Sequence, residues 1–183
     1  MRFFHLSVVF SLIVSSCNTN SNKDNQKMDS LYPKKGTYVK YQDEWAIEGY
    51  YKRLSQFKSD PIGKNKIVFL GNSITEGGGD WNKRFGTNNI VNRGIGGDIT
   101  EGIIVRIQEI IYFKPVAVFL LIGINDIFNS DGPNRDKITE SYVANNIHKI
   151  AKIISKESPT TKFYVQTILP VNPKSYYKEN GFF

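Results

Sequence analysis

At 183 residues, with 40% apolar and 13% aromatic side chains, the chain is long enough to bury one core and too apolar to be disordered. Its 24 Lys and Arg stand against 17 Asp and Glu, a formal charge of +7. The basic residues, such as Lys34, Lys52, Lys64, Lys114, Lys149 and Lys174, are scattered, which fits a solvated surface and speaks against a nucleic-acid groove.

The chain opens on Met1-Arg2, a mostly apolar run from Phe3 to Val14, and then Ser15-Ser16-Cys17. The run is shorter than the roughly 20 residues that a membrane-spanning helix needs. It resembles a bacterial lipoprotein signal peptide. That resemblance implies removal of residues 1–16, lipidation of Cys17, anchoring to a membrane through that lipid, and a place in the cell envelope (periplasm or outer membrane). The alternative is an ordinary secretory signal with Cys17 a free thiol. Polar residues 17–31 read as a flexible tether, and residues 32–183 as the folded domain.

After an irregular arm to Gln42, Asp43 to Lys58 fits a helix whose apolar face is Trp45, Tyr50, Tyr51, Leu54 and Phe57. Asp60-Pro61 and Gly63 end it. Ile67 to Leu70 is a short apolar run that reads as a buried strand, and it delivers Gly71-Asn72-Ser73-Ile74-Thr75-Glu76-Gly77-Gly78-Gly79. A serine where a buried parallel strand gives way to a helix start stands on the sheet's open C-terminal edge. It also lies beside free backbone N–H groups that favour negative charge. Ser73 is therefore the candidate nucleophile. The plainer alternative is a serine N-cap on a glycine turn. Thr75 excludes the G-x-S-x-G elbow.

Asp80 to Phe85 reads as a helical turn and Ile90-Val91 as a second strand. In Asn92-Arg93-Gly94-Ile95-Gly96-Gly97-Asp98, three glycines in four positions allow close approach of a backbone to something bound. Asp98 with Glu101 fits a capping box for a helix with the stripe Ile99, Ile103, Ile107 and Ile110. Gly97 then sits just outside the helix N-terminus with its N–H free. Val116 to Ile122 is apolar throughout, as in a parallel strand covered on both faces. It ends at Gly123-Ile124-Asn125-Asp126, where Asn125 offers a side-chain donor or simply closes an Asx-turn. A helix from Ile138 to Ser155, with core face Val143, Ile147, Ile150 and Ile154, and a strand from Thr161 to Leu169 complete the alternation. Such alternation predicts an α/β fold on a parallel sheet.

The ordered triple Gly71-Asn72-Ser73-Ile74, Gly94-Ile95-Gly96-Gly97-Asp98 and Gly123-Ile124-Asn125-Asp126 resembles blocks one to three of the SGNH (GDSL-type) hydrolases. One departure from the family name is Asn72, where an aspartate is usual. The resemblance covers about residues 43–170. It implies a flavodoxin-like, three-layer α/β/α fold with a parallel sheet, and a serine esterase acting on short acyl, chiefly acetyl, esters of carbohydrates or glycans. It implies Ser73 as nucleophile, with oxyanion donors from the Ser73 N–H, the Gly97 N–H and the Asn125 side chain. No cofactor is implied. One histidine and one lipid-bound cysteine also cannot make a metal site.

The family's late Asp-x-x-His block has no counterpart within these 183 residues. His5 lies in the signal, and His148 falls mid-helix on the polar stripe of Asn145, Lys152 and Lys156. The chain therefore reads as C-terminally incomplete and nearly inactive as it stands, with an open sheet edge. Two other readings compete: a non-catalytic, glycan-binding envelope lipoprotein, and a phosphate or nucleotide binder, the latter without a P-loop or G-x-G-x-x-G pattern to support it.

Overall fold

The computed structural model describes residues 26–128 and 135–167. The predicted signal peptide, Cys17, most of the predicted tether, the end of the fourth predicted strand and the Asn180-Gly181-Phe182-Phe183 stretch lie outside the described residues.

The element order is α1 (Glu44–Ser59), β1 (Ile67–Gly71), α2 (Ser73–Gly77), α3 (Trp81–Phe85), β2 (Ile90–Gly94), α4 (Thr100–Val105), α5 (Gln108–Phe113), β3 (Ala117–Leu121), α6 (Ile124–Phe128), a 3₁₀ turn (Arg135–Lys137), α7 (Glu140–Glu157) and β4 (Lys162–Val165). The four strands form one sheet in the order β2-β1-β3-β4. Every pairing is parallel. The chain starts at an inner strand, moves out to β2 and returns across β1 to β3. The strand order therefore reverses between β1 and β3, where open α/β sheets bind ligands beyond the carboxyl ends of their strands. Register brings Gly71 beside Gly94 on one flank and beside Leu121 on the other. Three loops far apart in sequence thus leave the sheet at one level.

One face of the sheet carries the main core. Val68, Leu70, Val118 and Leu120 pack against Ile103, Ile107 and Ile110 and against Ile150 and Ile154 of α7. Each such fully buried aliphatic side chain contributes on the order of 1.5–3 kcal/mol. Helix α1 and the arm before it form a second cluster, with Tyr32, Tyr50, Leu54 and Phe57 on Ile95 and Ile99. The opposite face is lined by rings. Phe69 and Phe119 meet edge-on at 5.5 Å, Phe119 stacks on Tyr164 at 4.8 Å, and Trp81 covers Phe69 at 5.0 Å. Among the described residues, α2 and α3 are the helices on this face.

Local differences from the sequence reading have physical causes. Trp45 is 69% exposed, and Ala46 occupies the buried stripe with Tyr50, Leu54 and Phe57. Trp45 is one residue, about 100°, off that stripe. The predicted capping box at Asp98 does not form. Ile99 is the N-cap residue of α4, and the Thr100 N–H is instead taken by the Asp126 carboxylate at 3.1 Å. The isoleucine stripe is divided between α4 and α5, which break at Arg106-Ile107. On α7, Asn146 is buried alongside Val143, Ile150 and Ile154, and it donates to Thr100 Oγ1 at 2.9 Å.

Candidate active site

Ser73 is the first residue of α2, immediately beyond the last residues of β1. Asn72, fully buried, is the N-cap: its Oδ1 accepts from the Ile74 N–H at 3.0 Å and its carbonyl accepts from the Glu76 N–H at 3.0 Å. The serine is therefore not the cap, and its side chain is exposed. Position 72 needs a short side-chain acceptor, which asparagine supplies as well as aspartate.

The loop after β2 is held on several sides. The Ile95 N–H donates to the Gly71 carbonyl at 3.0 Å and the Gly96 N–H to Glu76 Oε2 at 2.6 Å. The Asp98 N–H donates to the Ile95 carbonyl at 3.1 Å and the Ile99 N–H to Asp98 Oδ1 at 3.0 Å. Between them the Gly97 N–H has no acceptor among the described residues, while its carbonyl takes the Gln42 amide at 2.9 Å. Gly97 has φ +73°, and a Cβ there would lie 2.7 Å from the Trp45 ring and 2.8 Å from Ala46 Cβ. Both the left-handed backbone and the close packing call for glycine. Gly94 is required by space alone: a Cβ would run into the backbone of Thr75 and Glu76, which lets α2 lie directly on β2.

The loop after β3 closes on the same place. Asn125, half-buried at the start of α6, donates its side-chain amide to the Asp98 carbonyl at 2.9 Å. One of its two amide hydrogens is engaged there, and among the described residues the second has no other acceptor and can serve as a donor. Asp126 is buried and binds both the N–H and the hydroxyl of Thr100. Blocks two and three are thus tied through Asn125 and Asp126, and blocks one and two through Glu76 and Gly94.

Glu76 was not singled out from sequence. Its second carboxylate oxygen lies 3.3 Å from Arg53, which itself donates to the Gly94 carbonyl at 3.1 Å. A cavity of about 340 Å³ opens beside this pair, lined by Trp45, Lys52, Arg53, Gln56, Glu76 and Gly96 among others. Two buried ion pairs lie beneath. Arg93 grips Glu109 with two bonds of 2.9 Å, and Arg106 lies 2.8 Å from Asp98. Burial pushes the Asp98 carboxyl up to about 6 against the opposing pull of Arg106. The Phe57 ring lies against the guanidinium carbons of Arg93 and Arg53, at 4.5 and 4.9 Å. His148 sits exposed on α7, away from the buried stripe of that helix.

Comparison with known proteins agrees with this layout. The GDSL-like Lipase/Acylhydrolase family matches residues 69–181. A Streptococcus pneumonia protein whose name refers to platelet activating factor superposes with a TM-score of 0.61 at 28% identity, over 74% of this chain and 62% of its own. A GDSL-like lipase of Bacteroides thetaiotaomicron VPI-5482 superposes at 0.53 with 23% identity, over 72% of this chain and 74% of its own. A Bacteroides fragilis NCTC 9343 protein named as an acylhydrolase does so at 0.50 with 22% identity, over 88% and 74%. The chain spans less than two thirds of the length of the streptococcal protein. No curated protein matches it. With an all-parallel sheet in this strand order, glycine-bearing loops at its carboxyl edge and a family match over most of its length, the chain belongs to the GDSL-like lipase/acylhydrolase family.

Proposed function

We propose that this domain hydrolyses short acyl esters, chiefly acetyl groups on carbohydrate, with Ser73 as the nucleophile. The Ser73 Oγ attacks the acyl carbon and the carbonyl π pair moves onto oxygen. That oxyanion is met by the N–H groups of Ser73 and Gly97 and by the free hydrogen of the Asn125 amide. Collapse expels the alcohol and leaves an acyl-serine, which water then hydrolyses. Fixed neutral donors aimed at an oxyanion contribute about 3–4 kcal/mol each. The observation that supports this reading is the Gly97 N–H, which has no acceptor among the described residues, in a loop whose neighbouring amides all have acceptors.

The hydroxyl proton must pass to a base. These 183 residues contain no Asp-x-x-His, and His148 is on the wrong face of α7 to serve. Loss of a triad histidine costs on the order of 10⁴–10⁶ in turnover. The chain alone should therefore turn over an activated acetyl ester far more slowly than a form that carries an in-frame Asp-x-x-His. Equal rates for the two would refute that. Labelling of the chain by a fluorophosphonate tests the nucleophile: modification lost in Ser73→Ala supports esterase chemistry. No modification of Ser73 in the base-bearing form favours the glycan-binding reading.

Lipid anchoring at Cys17 and an envelope location are part of the same proposal, carried by the order of residues 1–17. Among the described residues no helix is long and apolar enough to cross a membrane. Incorporation of labelled fatty acid into the wild type and not into Cys17→Ser would support the anchor.

A further inference from the structure

We propose that Arg106 is a positioning residue that holds the three strand-end loops in register for acyl transfer; the inference rests on the acyl-transfer reading above. Arg106 is 5% exposed, and its polar contacts all lead to the site loops. Its Nε and Nη2 reach Asp98 Oδ2 at 3.0 and 2.8 Å. The same Nη2 donates to the Gly71 carbonyl at 3.2 Å and to the Arg93 carbonyl at 2.9 Å. Gly71 ends β1 two residues before Ser73, and Arg93 is the residue before Gly94 at the end of β2. Asp98 follows Gly97, and its own carbonyl receives the Asn125 amide. One planar cation therefore touches the first loop and the second directly, and the third through a single intervening residue.

A side chain that served stability alone would not need this pattern, since buried ion pairs are often replaced by apolar residues without loss. The rigid guanidinium fork can serve several acceptors in fixed directions, and a lysine ammonium cannot reproduce that geometry. By fixing the Asp98 carboxylate, Arg106 sets the peptide next to Gly97, and with it the direction in which the Gly97 N–H points. A displacement of about 1 Å in such a group costs about 10²-fold in rate.

The test uses the chain as it exists, with Arg106→Lys as the main variant and the neutral double variant Arg106→Met with Asp98→Asn in case the lysine protein fails to fold. Two readouts are taken: the NMR shifts of the Gly97 N–H and the Asn125 side-chain amide, and the second-order rate of Ser73 modification by a fluorophosphonate. Modification forms a Ser73 Oγ–P bond, breaks P–F, and releases fluoride and the hydroxyl proton to solvent. The expected result is displaced Gly97 and Asn125 signals and a rate about 10²-fold lower, with the α7 amides unmoved. Unchanged Gly97 and Asn125 signals would overturn the proposal, as would shifts spread equally through α7, the mark of a purely structural role. If Ser73 is not modified at all even in a form that carries an in-frame Asp-x-x-His, the acyl-transfer reading fails, and the amide signals still decide whether Arg106 positions the loops.

Discussion

The side-chain amide of Asn125 lies 2.9 Å from the backbone carbonyl of Asp98, so the loop after β3 grips the loop after β2 by its peptide. This bond does more than join two loops. It fixes the amide plane, so the second N–H of Asn125 has a set direction while the first is engaged. A donor held this way needs no reorganisation when negative charge develops in front of it.

Asn125→Ala removes both the tie and the donor. The rate of Ser73 modification by a fluorophosphonate should fall by about 10²–10³. Melting should change little, because Asp126 still binds Thr100. An unchanged modification rate would exclude Asn125 from the oxyanion site.

Gly94→Ala should be costly. The added Cβ would lie 2.7 Å from the Thr75 carbonyl carbon and 2.7 Å from Glu76 Cα, and neither is a side-chain end that can swing away. Forcing β2 and α2 apart should destabilise the protein by about 1–3 kcal/mol. It should also break the bond of 2.6 Å from Gly96 to Glu76. Urea unfolding with an unchanged slope measures the first effect.

Glu109→Ala should be the most damaging of the single changes considered. Its carboxylate accepts two bonds from Arg93, one from the Tyr32 hydroxyl at 2.8 Å and one from the Ile62 N–H at 3.2 Å. Removing it leaves the buried Arg93 guanidinium without its counter-charge and takes the acceptor from the Ile62 N–H, while the Tyr32 hydroxyl keeps the Phe57 carbonyl at 3.1 Å. A loss of about 3–5 kcal/mol is expected, read from the same urea curves. Glu109→Gln keeps part of the hydrogen bonding and should lose less.

Asp98 makes stability depend on pH with a defined sign. Its carboxyl is raised by burial to about 6 in the folded state, from 3.8. The charged groups acting on it are Arg106, which lowers it, and Asp126, which raises it. Because the native state holds the proton to higher pH than the unfolded state, this group's stabilisation is complete below pH 4 and is lost as pH rises to 6. Wild type should therefore lose stability relative to Asp98→Asn across that interval, with a flat difference above about pH 7. Melting curves of the two proteins from pH 4 to 8 check the sign.

The strand-end loops were legible in sequence because each is a local signal: an apolar run, then glycine, then a polar residue with a donor. Register at Gly71, Gly94 and Leu121 then brings them to one level. The polar network beneath them was not legible. Arg106 and Glu109 sit within the isoleucine-rich stretch of α4 and α5, where a periodicity reading passes over them as interruptions. Their partners Asp98 and Arg93 are 8 and 16 residues away, spacings set by the fold and not by a helix or strand period. Asp98 looked like a helix cap because the acidic residue that binds the Thr100 N–H, Asp126, lies 26 residues further on. Trp45 reads as part of the helix's apolar face because a tryptophan beside that stripe is counted with it, although one residue of rotation brings it against Gly97.

The placing of the tryptophans has a practical outcome. The sequence has two. Trp45 stands largely in water against Gly97, while Trp81 lies on Phe69 with its indole N–H bonded to the Thr75 carbonyl at 3.0 Å. Their emission should separate, red-shifted from the first and blue-shifted from the second. A spectroscopist therefore has a native reporter at the glycine loop and another on the sheet, and Trp45→Phe would isolate the second without any dye.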